Sequence, residues 1–196
     1  MRLLVTAAFG CFFIILAAGC ASTPDSHFYT LGAVPAPAAT SSDLSVAVGP
    51  VTVPAVVDRP QIVVRMGPNR VWIDEFNRWA SPLQSSISRA VAENLVSMLG
   101  TPRVALYSQT LSADADYRVA IAVQSFESAP GEAATLDAAW AVSRSKDGKL
   151  QAGRTTVREE ASEKGYDALA AAHSRGVARL SRDIAEAVRA LDLAAK

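Results

Sequence analysis

Apolar residues along this chain keep two different spacings, and the points where the spacing changes mark the predicted elements. "LSVAVGPVTVP" (44–54) alternates and is rich in valine, which predicts a strand. Before it, "HFYTL" (27–31) reads as a short strand, followed by "GAVPAPAATSSD", an Ala/Pro/Ser loop of extended character. "QIVVRM" and "RVWIDEF" form two further strands around "GPN", where Gly67 and Asn69 permit a turn. The spacing then lengthens. Leu83, Ile87, Val91, Leu95 and Met98 recur every three or four residues and predict an amphipathic helix. Ser81, Pro82 and Gln84 read as its N-cap, first helical position and capping-box partner, while Gly100 and Pro102 stop it.

Beyond that helix, "RVALYS" (103–108) predicts a strand, and "DYRVAIAVQSFES" places Tyr117, Val119, Ile121 and Val123 on one face. "PG" at 130–131 turns the chain into "EAATLDAAWAVSRS", whose Leu136, Ala138, Trp140 and Val142 share a face. "KDGK" (146–149) carries Asp-Gly, a strong hairpin signal, and "LQAGRTTVREEAS" returns. A last helix from about Tyr166 to Leu191 turns Leu169, Val177, Leu180, Ile184, Val188 and Leu191 inward and laces its other face with Arg and Glu. These elements predict an α+β fold, a single two-layer sandwich with a largely antiparallel sheet and two main amphipathic helices on one face.

Composition changes the picture at the N-terminus. The chain has 196 residues, half of them hydrophobic, enough for one domain with a real core. Part of that share is a run without charge from Leu3 to Gly19, preceded by Arg2 and ending in small residues, the order of a secretory signal. It closes on "LAAGC", which resembles the bacterial lipobox, where the cysteine is acylated and the signal is cut before it. Ala17 stands where that pattern most often has Leu, and Leu16 lies one residue further out. Cysteine usage agrees. Cys11 would leave with the signal, so Cys20 would be the one cysteine of the mature chain, and acylation removes a thiol that has no disulfide partner. Several acyl chains, each contributing about 0.8 kcal/mol per buried CH₂, give durable anchoring. The expected organisation is a signal peptide at 1–19, a lipidated tether at 20–26 and a domain at 27–196. With Ala21 in place of Asp after Cys20, the sorting pattern implies the periplasmic face of the outer membrane.

Charge excludes one class of partner. Nineteen basic residues balance nineteen acidic ones, and no long basic cluster exists to neutralise phosphates, so nucleic-acid binding is not expected. Enzymatic motifs are missing too. The chain has two histidines, His27 and His173, neither in a metal-ligand spacing, and it has no G-x-S-x-G, P-loop or G-x-G-x-x-G segment. His173 falls on the apolar stripe of the last helix and reads as a packing residue with locally satisfied nitrogens. His27 reads as exposed, and Glu159, Glu160 and Glu163 as a solvated strand edge. No cofactor or metal is expected.

That leaves "VVDRPQIVVR" (56–65). Neighbouring side chains of an extended segment diverge, so Asp58 and Arg59 are not expected to share a site, and Pro60 biases Arg59 toward extended geometry. On the residues alone the segment reads as a rigid lead into a strand, with Asp58 accepting local backbone hydrogen bonds and Arg59 paired with a carboxylate.

The stretch from Val48 to Leu95, with "VGPVTVP", "DRPQIVVR" and "WASPL", resembles the ABC-type transport auxiliary lipoprotein family, in its paraquat-inducible lipoprotein C group. "FYTL", "SFESAPGEAATLDAAWAV" and "GYDALAAAHSRGVARLSRDIAEAV" extend the resemblance over the mature chain, with a departure at Val56-Val57, where an aromatic or long aliphatic residue is commoner. The resemblance implies a non-enzymatic, outer-membrane-anchored accessory to MCE-domain proteins and ABC permeases that move lipids between membranes. It would act as a docking component, or as a homo-oligomeric ring like some members. Trp72, Phe76 and Trp79 interleave with Arg59, Arg65, Arg70 and Arg78, and Trp and Arg dominate binding hot spots. Asp58, Arg59, Gln61, Arg65 and Trp72 are therefore the expected partner surface, although Trp72 and Trp79 read equally well as plugs between the sheet and the first helix. Competing readings are a structural or assembly-factor lipoprotein of another envelope complex, a lipid-binding carrier and, least supported, a hydrolase.

Overall fold

Alternation along a strand is strict only while the strand is regular, and one irregularity shapes this fold. The computed structural model describes residues 24–194 apart from 36, 38, 108–113, 162 and 164, so the apolar N-terminal run and Cys20 lie outside the described residues. The elements are β1 (His27–Tyr29), β2 (Val46–Thr52), β3 (Gln61–Gly67), β4 (Arg70–Trp79), α1 (Leu83–Leu99), β5 (Val104–Leu106), β6 (Tyr117–Ala129), β7 (Ala133–Arg144), β8 (Leu150–Glu160) and α2 (Tyr166–Leu193). Two helices cover one sheet, which is the α+β arrangement the hydrophobic pattern predicts. The sheet is mixed. Antiparallel ladders β3–β4, β6–β7 and β7–β8 carry most of the pairing, and shorter parallel ladders join β1 to β4, β2 to β5, and both β2 and β3 to β6.

β6 holds these parts together. One edge pairs with β7 along its whole length; the other serves β2 from Tyr117 to Ala122 and then β3 at Ser128. Between the two partners the register with β7 slips, leaving Gln124 as the extra residue of a bulge. Before the slip Tyr117, Val119, Ile121 and Val123 are buried, as alternation predicts. Continued alternation would turn Ser125 and Glu127 inward; the bulge instead buries Phe126 and Ser128.

Those two residues meet α2. Phe126 stacks on the His173 ring at 3.9 Å and 9°, and Trp79 from the end of β4 stands edge-on to both rings at 6.0 and 5.9 Å. His173 is 1% exposed, its Nε2 lies 2.8 Å from Ser128 Oγ, and its Nδ1 has no partner. It is thus the packing residue expected from its place on the stripe, with only one nitrogen satisfied. Trp79 does plug a gap, against α2 at the fork of the sheet.

Polar side chains fix the helices at their ends. Asp147 in the β7–β8 turn accepts from Arg144 Nε and Nη2 at 2.9 and 2.6 Å, and Gly148 takes the left-handed φ of 70° that the turn needs. The buried Arg144 then donates Nη1 to the Leu191 carbonyl at 2.6 Å, satisfying an orphan acceptor in the last turn of α2. Midway along, Trp140 Nε1 donates to Thr155 Oγ1 at 3.0 Å, and Thr155 donates to Asp183 on α2 at 2.6 Å. Gly153 sits opposite Trp140, whose ring fills the space a Cβ would need.

The helix α1 departs from expectation at its start. Its N-cap is Pro82, and no side chain caps it, so the predicted capping box does not form. The helix begins one residue later than the Ser-Pro pattern implies, which leaves Ser81 outside it, and Gln84 turns its amide to Asp58 at 3.3 Å. Its end agrees: Gly100 is the left-handed C-cap and donates to the Val96 carbonyl.

Burial pushes the His173 imidazole down to about 3. The unfolded chain takes up this proton near the ordinary histidine value, about 6.5, so the neutral ring's contribution is complete above about pH 6.5 and declines as pH falls toward the folded value. Urea unfolding between about pH 7 and about pH 4.5 is expected to show stability falling by up to about 1.4 kcal/mol per pH unit from this group. His173→Gln, which can keep the Ser128 bond, should flatten that slope; an unchanged slope would remove His173 as its cause.

Candidate functional site

The β3–β4 hairpin is built in three steps: a turn that feeds β3, a tip, and a bulge in β4. At the feeding turn, the amides of Val57 and Asp58 both donate to the Pro54 carbonyl, at 3.0 and 3.1 Å, and Arg59 N donates to Val57 O at 2.9 Å. The backbone is therefore bent where extended geometry is expected from sequence. Asp58 and Arg59 consequently line the same cleft, which corrects the divergence predicted for neighbouring side chains. Two other local expectations change with it. The Asp58 carboxylate accepts from the Gln84 side chain instead of nearby backbone, and Arg59 takes part in no ion pair among the described residues.

The bulge in β4 is organised by Asp74. Ile62 pairs with Asp74, yet Gln61 pairs with Arg78, so Glu75, Phe76 and Asn77 form an excursion with no counterpart on β3. Asp74 Oδ1 accepts from the amides of Phe76 and Asn77, both at 2.9 Å, and Oδ2 accepts from Tyr166 Oη at 2.5 Å and Asn77 Nδ2 at 3.1 Å. Burial opposes ionisation of this carboxyl, but the hydrogen bonds from Tyr166, Asn77 and Phe76 outweigh it and hold it below the usual range. Burial and the Asp74 charge drive the Tyr166 phenol the other way, well above its ordinary value. Tyr29 Oη joins through Asn77 Oδ1 at 2.9 Å. This network ties β1 and β4 to the first turn of α2. It also changes the parity of β4, so that Trp79, an odd position, points inward like Asp74 before it.

Parity places Arg78 on the outward face, in a row with Phe28 of β1 and Gln61 of β3. Phe28, Asp58, Arg59, Arg78 and the segment from Trp79 to Pro82 line a cleft of about 470 Å³. Both arginine Nε atoms are shielded from solvent and lack a hydrogen-bond partner, and Arg78, like Arg59, has no ion pair among the described residues. Two guanidinium side chains without a carboxylate partner therefore line one cleft, which gives it a cationic wall able to donate to an anion.

The remaining predicted residues lie elsewhere on the hairpin. Gln61 donates to Glu75 at 3.0 Å. Arg65, opposite Val71, makes loose exposed pairs with Glu127 at 3.4 Å and Glu132 at 3.8 Å. Trp72, opposite Val64, lies on the other face and is 59% exposed beyond the helices, so it plugs no gap. The structure thus brings Asp58 and Arg59 together, sets Gln61 beside Arg78, and separates Arg65 from Trp72 across the sheet. Phe28 and Asp74 lie outside the residues expected from sequence, and Arg78 is among the arginines interleaved with the aromatics but not in the expected partner surface. For Asp74 the signal is a carboxylate on the apolar parity of its strand with Asn three residues on; for Arg78 it is visible only once the bulge is known. Among the described residues, no three His, Cys, Asp or Glu side chains sit together as metal ligands, and no helix is long and apolar enough to cross a membrane.

Solved structures share the fold. An uncharacterised protein aligns over 84% of this chain and 99% of its own, at 22% identity and a TM-score of 0.69. A Xanthomonas campestris protein of the DUF330 family aligns over 81% and 91%, at 22% identity and a TM-score of 0.61. A PelC dodecamer from Paraburkholderia phytofirmans aligns over 81% and 91% at 13% identity and a TM-score of 0.40, too distant to transfer an assembly to this chain. No curated protein matches the chain. The family model for the ABC-type transport auxiliary lipoprotein component matches residues 29–185, from β1 to within α2, and the chain belongs to that family.

Proposed function

We propose that this protein is an accessory lipoprotein of an MCE/ABC-type system for moving lipids between membranes. In this reading acylated Cys20 anchors it to the periplasmic face of the outer membrane, and it docks the MCE-domain component without catalysing a reaction. Family membership supports the auxiliary role. The observation that carries docking is the hairpin tip. Met66, Val71 and Trp72 are exposed there, next to Arg65 and Arg70, and the tip is open on both faces because Trp72 lies on one and Arg65 with Val71 on the other. An aromatic and arginine surface that the fold leaves uncovered suits a protein partner. The helix–sheet interior favours a scaffold over a lipid carrier. Leu31, Ile62, Leu83, Ile87, Leu136, Leu180 and Ile184 are all fully buried there, and the clefts are open at the surface.

Two measurements test the proposal. Replacing Cys20 with Ser is expected to move the protein from the membrane to the soluble fraction; continued membrane association would contradict lipid anchoring. Arg65→Glu combined with Trp72→Ala is expected to cut co-purification with the MCE-domain protein at least about tenfold, the scale of a hot-spot loss. It should also lower the mass seen by light scattering if the tip joins copies in a ring. Both positions are exposed, so stability should stay within about 0.5 kcal/mol per site. Unchanged co-purification and unchanged mass would remove the tip as the docking surface.

A further inference from the structure

The cleft beside β1 asks for an anion, and its surroundings say which kind. Arg59 reaches it from the turn before β3 and Arg78 from β4, and neither takes part in an ion pair among the described residues. A guanidinium donates in a planar fork, so two forks on one cleft fit an oxyanion with several acceptor oxygens better than a single carbonyl. The one acid lining the cleft, Asp58, already accepts from Gln84, which leaves the balance there at two cations to one anion. Phe28 completes the geometry. It is 62% exposed and lies in register with Arg78 on the same face, an apolar ring at the rim of a cationic pocket. Phe28 also follows Cys20 by eight residues, a reach of at most roughly 28 Å in a fully extended chain.

We propose that this cleft binds the phosphate headgroup of an anionic phospholipid, the two arginines holding the phosphate oxygens and Phe28 lying against the glycerol and proximal acyl carbons. The anion site rests on the two guanidiniums alone. The choice of a lipid as its source rests on Phe28 and on the anchoring of Cys20 proposed above, which keeps the cleft within reach of a membrane surface. Such a site would hold the headgroup at the outside of the sheet and leave the filled core undisturbed, so it differs from a carrier's interior pocket.

The test uses the full chain carrying Cys20→Ser, which needs no membrane. Arginine side-chain Nε–H resonances are followed by NMR during titration with dihexanoylphosphatidylglycerol, inorganic phosphate and acetate in separate arms. The Arg59 and Arg78 resonances are expected to shift together and saturably with the short-chain lipid, at an affinity at least about tenfold above that for inorganic phosphate. Arg59→Gln and Arg78→Gln should each weaken lipid binding about ten- to a hundredfold, the scale of a lost charge-assisted hydrogen bond. Phe28→Ser, at an exposed position, should weaken lipid binding while leaving phosphate binding unchanged, which keeps the test valid if an arginine variant fails to fold. Equal affinity for lipid and inorganic phosphate would overturn the lipid assignment. Preference for acetate, which would point to a protein carboxylate, or no shift in any arm would overturn the site. Because the titration is done in solution, its outcome is independent of whether Cys20 is found to be acylated.

Discussion

A single strand edge that serves two partners is the constraint on which this structure depends. β6 cannot pair with β2 and β3 along the same residues, so it gives its first half to one and its end to the other. The bulge at Gln124 falls between them and resets the side-chain parity, and that reset puts Phe126 against His173. Trp79 then closes the fork from β4. Remove the bulge and the residues turned toward α2 would be Ser125 and Glu127, which could not fill the space between the sheet and the helix. The β3–β4 hairpin is thus held at its base by an aromatic cluster and by the Asp74–Tyr166 bond, while its tip projects clear of both helices.

Polar groups tell the same story by their satisfaction. Buried groups such as Asn94, Arg144 and Thr155 each find a partner within the protein. The described side-chain atoms left shielded and unpartnered are three: Nδ1 of His173 and the Nε atoms of Arg59 and Arg78. The histidine lies in the core, where burial keeps its ring neutral. The arginines have no such recourse, since a guanidinium does not shed its proton at any ordinary pH. Two unmet cations in one cleft depart from the consistency of the rest of the fold, and such departures concentrate at functional sites.

Much of this was legible in the chain. Alternation located the strands, three- to four-residue spacing located both helices, and Asp-Gly and Gly100 located a turn and a helix end, because each signal is local. What stayed hidden depends on parity changes and chain crossings. Nothing in "VQSFES" shows that Gln124 is skipped, and nothing in "DEFNRW" shows that three residues loop out before Arg78. The expected partner residues were therefore drawn from one sequence window but are divided by the fold between a cleft and two faces of a hairpin. The S-x-x-Q pattern failed for a related reason: the helix starts after Pro82, and Gln84 answers a residue twenty-six positions away. Membership of the family was legible from motifs that survive these irregularities.

The hairpin end of the sheet is the working surface we propose. Photocrosslinking in intact cells tests it most directly, with a photoreactive amino acid in place of Trp72 at the tip or in place of Arg154 on β8, far along the sheet. Covalent adducts with an MCE-domain protein are expected from position 72 and none from position 154. Adducts from position 154 with none from position 72 would contradict it.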